Sequence, residues 1–140
     1  MVERLEYESQ SFQTRIINGV LLRIMQGEEY GKVYRLDDML VDDHALITLG
    51  REDYGVRNTI AIKETHSQYV SRMHCTFELD YDSGNWIIRD GQWDSHSSNG
   101  WKMSTNGTFV NSQEVPMTGL PFQPGDIISI GDVKLRVEAY

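Results

Sequence analysis

At 140 residues the chain has the length of one domain, because two domains in that length would each be too small to bury a core without staples. Three alanines against ten valines, eleven isoleucines and eight threonines favour a pleated architecture and argue against a helix bundle. Thirteen Lys and Arg against 21 Asp and Glu leave a net charge of −8, which excludes a long nucleic-acid footprint but not a site for a single phosphate.

Residues 1–18 are polar with irregular apolar spacing and read as an N-terminal tail, and the domain is expected over 19–140. From Val20 short apolar or alternating runs follow one another: Val20 to Met25, Val33 to Leu36, Leu46 to Leu49 and Thr59 to Ile62. Met73, Cys75, Phe77 and Leu79 then alternate with His74, Thr76, Glu78 and Asp80, and the Asp82-Ser83-Gly84-Asn85 turn hands over to Trp86-Ile87-Ile88. A last hairpin runs from the Pro124-Gly125 turn through Asp126 to Ile130, turns at Gly131-Asp132, and returns with Val133, Leu135 and Val137 facing one side. Many short strands without a helical stretch predict a β-sandwich or barrel. Cys75 has no partner in the chain, and neither a leader-like terminus nor a membrane-length apolar run is present, so no membrane association and a cytoplasmic location are expected.

In such a fold the binding residues sit on loops held by the sheets. Three loop-adjacent motifs stand out: Gly50-Arg51 at the end of a strand, Ser71-Arg72-Met73-His74 opening the alternating strand, and Ser104-Thr105-Asn106-Gly107-Thr108-Phe109-Val110-Asn111. Each alone is weak, since a Gly-Arg strand end or an Asn-Gly turn commonly carries no function.

Together and in this order they resemble the forkhead-associated (FHA) domain, a phosphothreonine-peptide-binding β-sandwich of eleven strands, and Pro124 to Gly131 is similar to the family's ending. The resemblance covers roughly Leu21 to Tyr140. It implies that Arg51 reaches the phosphate with its guanidinium fork, that Ser71 donates its hydroxyl, that Arg72 helps hold the peptide or phosphate, that Thr105 helps bind phosphate, and that Asn106 bonds the peptide main chain. It gives Gly50, His74, Gly107 and Asn111 the role of shaping the loops. The implied function is a phosphothreonine-dependent protein interaction module in Ser/Thr kinase signalling, without catalysis, cofactor or metal, whose partner is a threonine-phosphorylated protein. A phosphothreonine carries about −1.5 to −2 charges and three acceptor oxygens, so converging donors with an Arg fork suit it.

Residues Gly91 to Met103 exceed the two or three residues usual at this place in the family and are read as an inserted loop carrying Trp93, His96 and Trp101. The earlier Asn99-Gly100 imitates the turn motif, but only Asn106-Gly107 continues into a strand and a second Asn. The residue three after the phosphothreonine is expected to be read by the loop Lys63 to Val70, with His66, Gln68 and Tyr69 as candidates, or beside the insertion. The alternative is a phosphate-independent module that binds through the sandwich and the insertion. Neither a Ser71-His74 triad nor a metal site drawn from His44, His66, His74 and His96 is expected, because no nucleophile elbow or helical His pair accompanies them. Thr14 with Ile17 three residues on raises a further possibility, a phosphorylated tail occupying this site or a neighbour's.

Overall fold

The computed structural model describes residues 19–40 and 46–140. Among them thirteen strands form in chain order: β1 (Val20–Gln26), β2 (Val33–Arg35), β3 (Leu46–Arg51), β4 (Ile60–Ile62), β5 (Cys75–Asp80), β6 (Asn85–Asp90), β7 (Gln92–Trp93), β8 (Trp101–Lys102), β9 (Thr108–Val110), β10 (Gln113–Glu114), β11 (Leu120–Phe122), β12 (Ile127–Ile130) and β13 (Val133–Ala139). A single 3-10 turn, Leu36–Met39, interrupts them.

Two sheets face each other, a six-stranded one ordered β10-β9-β12-β13-β1-β2 and a five-stranded one ordered β11-β6-β5-β3-β4. They hold the eleven strands that the resemblance implies, and the extra pair, β7 with β8, is a separate two-stranded ribbon inside the 91–103 segment. Pairing is antiparallel except for β3 with β4, which run parallel with Leu49 opposite Ile60 and Arg51 opposite Ile62.

Period-two alternation decides which side chains meet between the sheets. Leu22 and Ile24 of β1, Ile128 and Ile130 of β12, and Val133, Leu135 and Val137 of β13 are buried from one layer. Ile47 and Leu49 of β3, Cys75 and Phe77 of β5, and Ile88 of β6 come from the other. Phe77 meets Phe122 edge to face, with ring centroids 5.6 Å apart at 73°. Burying a side chain of this size contributes about 1.5–3 kcal/mol, so the inward set fixes the register: a one-residue slip would turn all of it to water.

The alternating segment departs from expectation at its start. β5 begins at Cys75, so Met73 and His74 lie before the strand, and His74 is fully buried although it falls on the polar half of the alternation. Thr76, on that same half, is also buried, and its hydroxyl donates to the Gly91 carbonyl at 2.8 Å. Thr76 is covered by the segment that enters the β7–β8 ribbon, and the His74 ring by the loops of Ser71 and Gly107, so a face that a plain sandwich would leave wet is closed.

The two ends of the sandwich are distinct. At one end Gly19 and Tyr140 exchange backbone hydrogen bonds at 3.0 Å each. At the other, Gln26 pairs with Lys134, and the Gly131 turn between β12 and β13 lies against Tyr69, where an added Cβ would sit 2.6 Å from the Tyr69 carbonyl carbon. The second end carries the loops of Arg51, Ser71 and Thr105.

Candidate functional site

Three segments far apart in sequence meet at that end: the C-terminus of β3, the loop between β4 and β5, and the stretch leading into β9. The backbone N–H of Arg51 donates to the Ser71 carbonyl at 2.9 Å, and the Arg51 Nε donates to the Val70 carbonyl at 3.0 Å. Among the described residues neither terminal nitrogen of the guanidinium is hydrogen-bonded, so the half of the fork that suits a phosphate is unspent. Gly50 allows this approach. A Cβ there would overlap the Arg72 carbonyl oxygen and stand 2.8 Å from the Asn58 amide nitrogen, so any side chain would part β3 from the Ser71-Arg72 segment.

Ser71 is joined to the third segment. Its Oγ accepts from the backbone N–H of Thr105 at 2.9 Å, which leaves its own proton free to donate. Thr105, Asn106 and Arg72 are exposed, while Arg51 and Ser71 are half-buried. The Asn106 Nδ2 donates to the Tyr69 carbonyl at 2.9 Å, which fixes the amide plane and leaves its oxygen and second N–H toward solvent. The arrangement thus offers a planar cation, an oriented hydroxyl, a second hydroxyl and a carboxamide within one patch.

His74 ties the loops together from below. Its Nδ1 accepts from the Ser71 backbone N–H at 2.9 Å, and its Nε2 lies 2.9 Å from the Gly107 carbonyl, which requires the proton on Nε2 and a neutral ring. Burial lowers its pKa, opposed by the Gly107 carbonyl and by the charge of Asp90. Gly107 has φ +85°, a left-handed turn conformation that costs glycine little. Asn111 lies beyond β9: its side chain accepts from the Ile127 N–H at 2.9 Å and donates to Asp126 at 2.8 Å, stitching the β9–β10 turn to β12. It shapes the sandwich and not the patch itself.

Three residues that sequence reasoning did not single out hold the site. Asp90, buried at the end of β6, accepts from the Ser104 hydroxyl at 2.6 Å, the Ser104 N–H at 3.1 Å and the Thr108 hydroxyl at 2.6 Å, so one carboxylate anchors the loop that carries Thr105 and Asn106. Gln92 is buried, and its Nε2 donates to the Leu49 carbonyl at 2.9 Å and to the Asn58 side-chain oxygen at 2.7 Å. Asn58 in turn donates to the Arg72 carbonyl at 2.8 Å. A chain of hydrogen bonds therefore runs from the inserted ribbon to the backbone beside Ser71. The only local signal was that polar residues terminate two apolar strand patterns.

The ribbon itself resolves the two tryptophans differently. Trp101 is half-buried and its indole N–H donates to the Asp90 carbonyl at 2.9 Å, whereas Trp93 is 68% exposed with its ring over Gly100. Asn99-Gly100 closes the ribbon, its Asn99 side chain accepting from the Trp101 N–H at 3.1 Å, while Asn106-Gly107 is the pair that lies beside Ser71. A groove of about 980 Å³ extends from Arg51, Ser71, Arg72 and Thr105 along the outer face of the five-stranded sheet to the ribbon. Of the three candidate readers, Gln68 lines the groove, and Tyr69 contributes the carbonyl that holds Asn106.

A family model described as the FHA domain matches residues 47–131. The chain belongs to the FHA family. Its fold is similar to that of the FHA domain of an Arabidopsis thaliana hypothetical protein, at 30% identity over 86% of this chain and 84% of that one, with a TM-score of 0.60. The Slr1951 protein of Synechocystis sp. matches at 26% identity over 89% of this chain and 98% of its own, with a TM-score of 0.62. Mycobacterium tuberculosis EmbR, solved with a low-affinity phosphopeptide, matches at 22% identity over 86% of this chain and 24% of its own, with a TM-score of 0.56. No curated protein matches the chain. FHA domains are phosphothreonine-binding interaction modules, and the patch of Arg51, Ser71, Thr105 and Asn106 lies where the three sequence motifs meet.

Proposed function

We propose that this FHA domain binds a threonine-phosphorylated segment of a partner protein, written by a Ser/Thr kinase, with Arg51 and Ser71 on the phosphate, Thr105 and Arg72 supporting it, and Asn106 on the peptide main chain. The observation that carries this is the Thr105 N–H to Ser71 Oγ bond at 2.9 Å, because it joins two loops and leaves the Ser71 hydroxyl proton free in the groove that the unspent terminal nitrogens of Arg51 also line. Hydrogen bonds to a charged group are worth about 1.5–3 kcal/mol each, so three such donors support useful affinity for a short peptide. EmbR, which has been seen with a phosphopeptide, shares the fold. Gly50, His74 and Gly107 serve the site by holding loops, Gly50 and His74 through the contacts above, whereas Asn111 supports it only through the sandwich.

Binding, not catalysis, suits the chemistry. Both ring nitrogens of His74 are engaged by backbone groups, so it has no lone pair left to take a proton from Ser71. The module needs no cofactor or metal, and we place it in the cytoplasm, where kinases and reduced thiols such as Cys75 coexist.

Thr14 lies outside the described residues, and a phosphorylated tail occupying this site or a neighbour's is kept as part of the proposal.

A fluorescence titration of the 140-residue chain with one peptide in phosphothreonine, phosphoserine and unmodified forms tests the function. Phosphothreonine is expected to bind at least tenfold tighter than phosphoserine, the threonine methyl being worth about 1–3 kcal/mol, and the unmodified form not at all. Equal binding of all three would replace this function by the phosphate-independent one.

A further inference from the structure

The groove does not stop at the phosphate patch. Along β3 it runs from Arg51 to Leu46, about 17 Å, room for roughly five residues of extended chain. Its floor is the outer side of the five-stranded sheet at Leu46, Thr48 and Thr76, one wall is Arg57 on the β3–β4 connection, and the other is the β7–β8 ribbon with Trp93 and Lys102. Its charge is opposite to that of the protein. Among the described residues five Arg and Lys line it (Arg51, Arg57, Arg72, Arg89 and Lys102) against two acidic residues, in a chain whose net charge is −8.

The acidic pair is already occupied. Glu78 accepts from Arg89 at 2.8 Å and 3.0 Å, and the Asp94 carboxylate accepts from the His96 N–H at 3.0 Å and the Ser97 hydroxyl at 3.4 Å. Arg57, Arg72 and Lys102 are exposed and, among the described residues, have no ion-pair partner. Exposed cations gathered in a concave strip, in excess of the two carboxylates that line it among the described residues, are a stretch of complementary potential. Trp93 adds a large flat face at the edge of the strip, the kind of side chain that anchors a peptide at little entropic cost.

The geometry points to a ligand that continues past its phosphothreonine as an extended, carboxylate-rich segment laid along this groove, its acidic side chains between Arg57 and Lys102 and its backbone against the sheet. The proposal rests on phosphothreonine binding at Arg51 and Ser71 and adds the chemistry of the flanking residues. The inserted ribbon is then a specificity wall, tied to the phosphate patch through Gln92 and Asn58.

The test uses the 140-residue chain and peptides with a central phosphothreonine whose flanks are alanine and glutamine, or the same with a run of aspartates on the N-terminal or the C-terminal side. Aspartates on one side are expected to tighten binding about tenfold at physiological salt, from a few half-exposed ion pairs, and to lose that gain near 1 M salt. The double variant Arg57→Gln, Lys102→Gln is expected to abolish the gain while weakening the neutral-flank peptide by less than about threefold, both side chains being exposed. Tight phosphate-dependent binding that ignores aspartate on either side, or a gain that survives the double variant, overturns the acidic-flank proposal alone. Failure of every phosphopeptide to bind better than its unmodified form overturns phosphothreonine recognition and this extension together.

Discussion

Replacing Asp90 by Ala removes the one carboxylate that holds the Ser104–Thr108 turn. Asp90 is 2% exposed, and its oxygens accept from the Ser104 hydroxyl at 2.6 Å, the Thr108 hydroxyl at 2.6 Å and the Ser104 N–H at 3.1 Å. Hydroxyls can rotate in search of other acceptors, but the Ser104 N–H cannot, and Thr108 is itself fully buried. A buried donor left without a partner costs about 1–3 kcal/mol, and the bonds lost are of the stronger, charge-assisted kind, so the whole change is expected to cost about 3–5 kcal/mol. Against a typical stability of about 5–15 kcal/mol this is a large fraction. Asp90→Asn is expected to lose less, roughly half, because a turned amide can accept from the Ser104 N–H and donate to both hydroxyl oxygens. Urea unfolding followed by tryptophan fluorescence measures both, with Trp86 in the core as the reporter. Since Ser104 also accepts from the Gly107 N–H at 2.9 Å, a folded Asp90→Ala protein is expected to bind phosphopeptide at least tenfold more weakly. An unfolding free energy within about 0.5 kcal/mol of the parent would refute the assigned role of the carboxylate.

Arg51→Lys keeps the charge but loses the fork, and isothermal titration is expected to show phosphopeptide affinity reduced about tenfold or more while urea stability changes by less than about 1 kcal/mol. Gly50→Ala drives a Cβ into the Arg72 carbonyl, a backbone atom that cannot swing aside, so about 1–3 kcal/mol of stability and most phosphopeptide binding should go together. For His74, burial holds the folded pKa below the ordinary 6.5, so the unfolded chain takes up a proton first as the solution is acidified. Its contribution is therefore fully present above about pH 6.5 and is lost as pH falls from there through the lower folded value. Urea midpoints measured at intervals from pH 7.5 to 5 should fall more steeply for the parent than for His74→Asn, and equal slopes would show that the ring is not held neutral.

The fold was legible where periodicity is strong. The alternation of Val133, Leu135 and Val137 in the sequence is the buried pattern of β13, and the run from Cys75 to Leu79 is β5 with Cys75 and Phe77 inward. It was not legible where strands are two or three residues long. β7, β8 and β10 have two residues each, too few to show a period, and β11 carries Pro121 in its middle, a residue that argues against a strand and is tolerated because β11 sits at the edge of its sheet. His74 and Thr76 misled for another reason. Alternation assigns a residue to the outer face, but it says nothing of the loops and the ribbon segment from elsewhere in the chain that cover that face.

The site divides in the same way. Gly50-Arg51, Ser71-Arg72 and Thr105-Asn106 were recognisable as local motifs, because turn and loop chemistry is written in neighbouring residues. Asp90, Gln92 and Asn58 were not, since their partners lie 14 to 43 positions away and nothing beside them in the sequence marks the contact.

The sequence by itself determined an all-β chain, the inward faces of its longer strands and an acidic total of −8. Only the tertiary structure decided that Arg51, Ser71 and Thr105 share one patch, that His74 and Asp90 hold it from beneath, and that the groove beside it is cationic. Composition and period are properties of a chain read in order, whereas hydrogen bonds and local potential depend on separations in space, which folding sets between residues that no sequence window contains together.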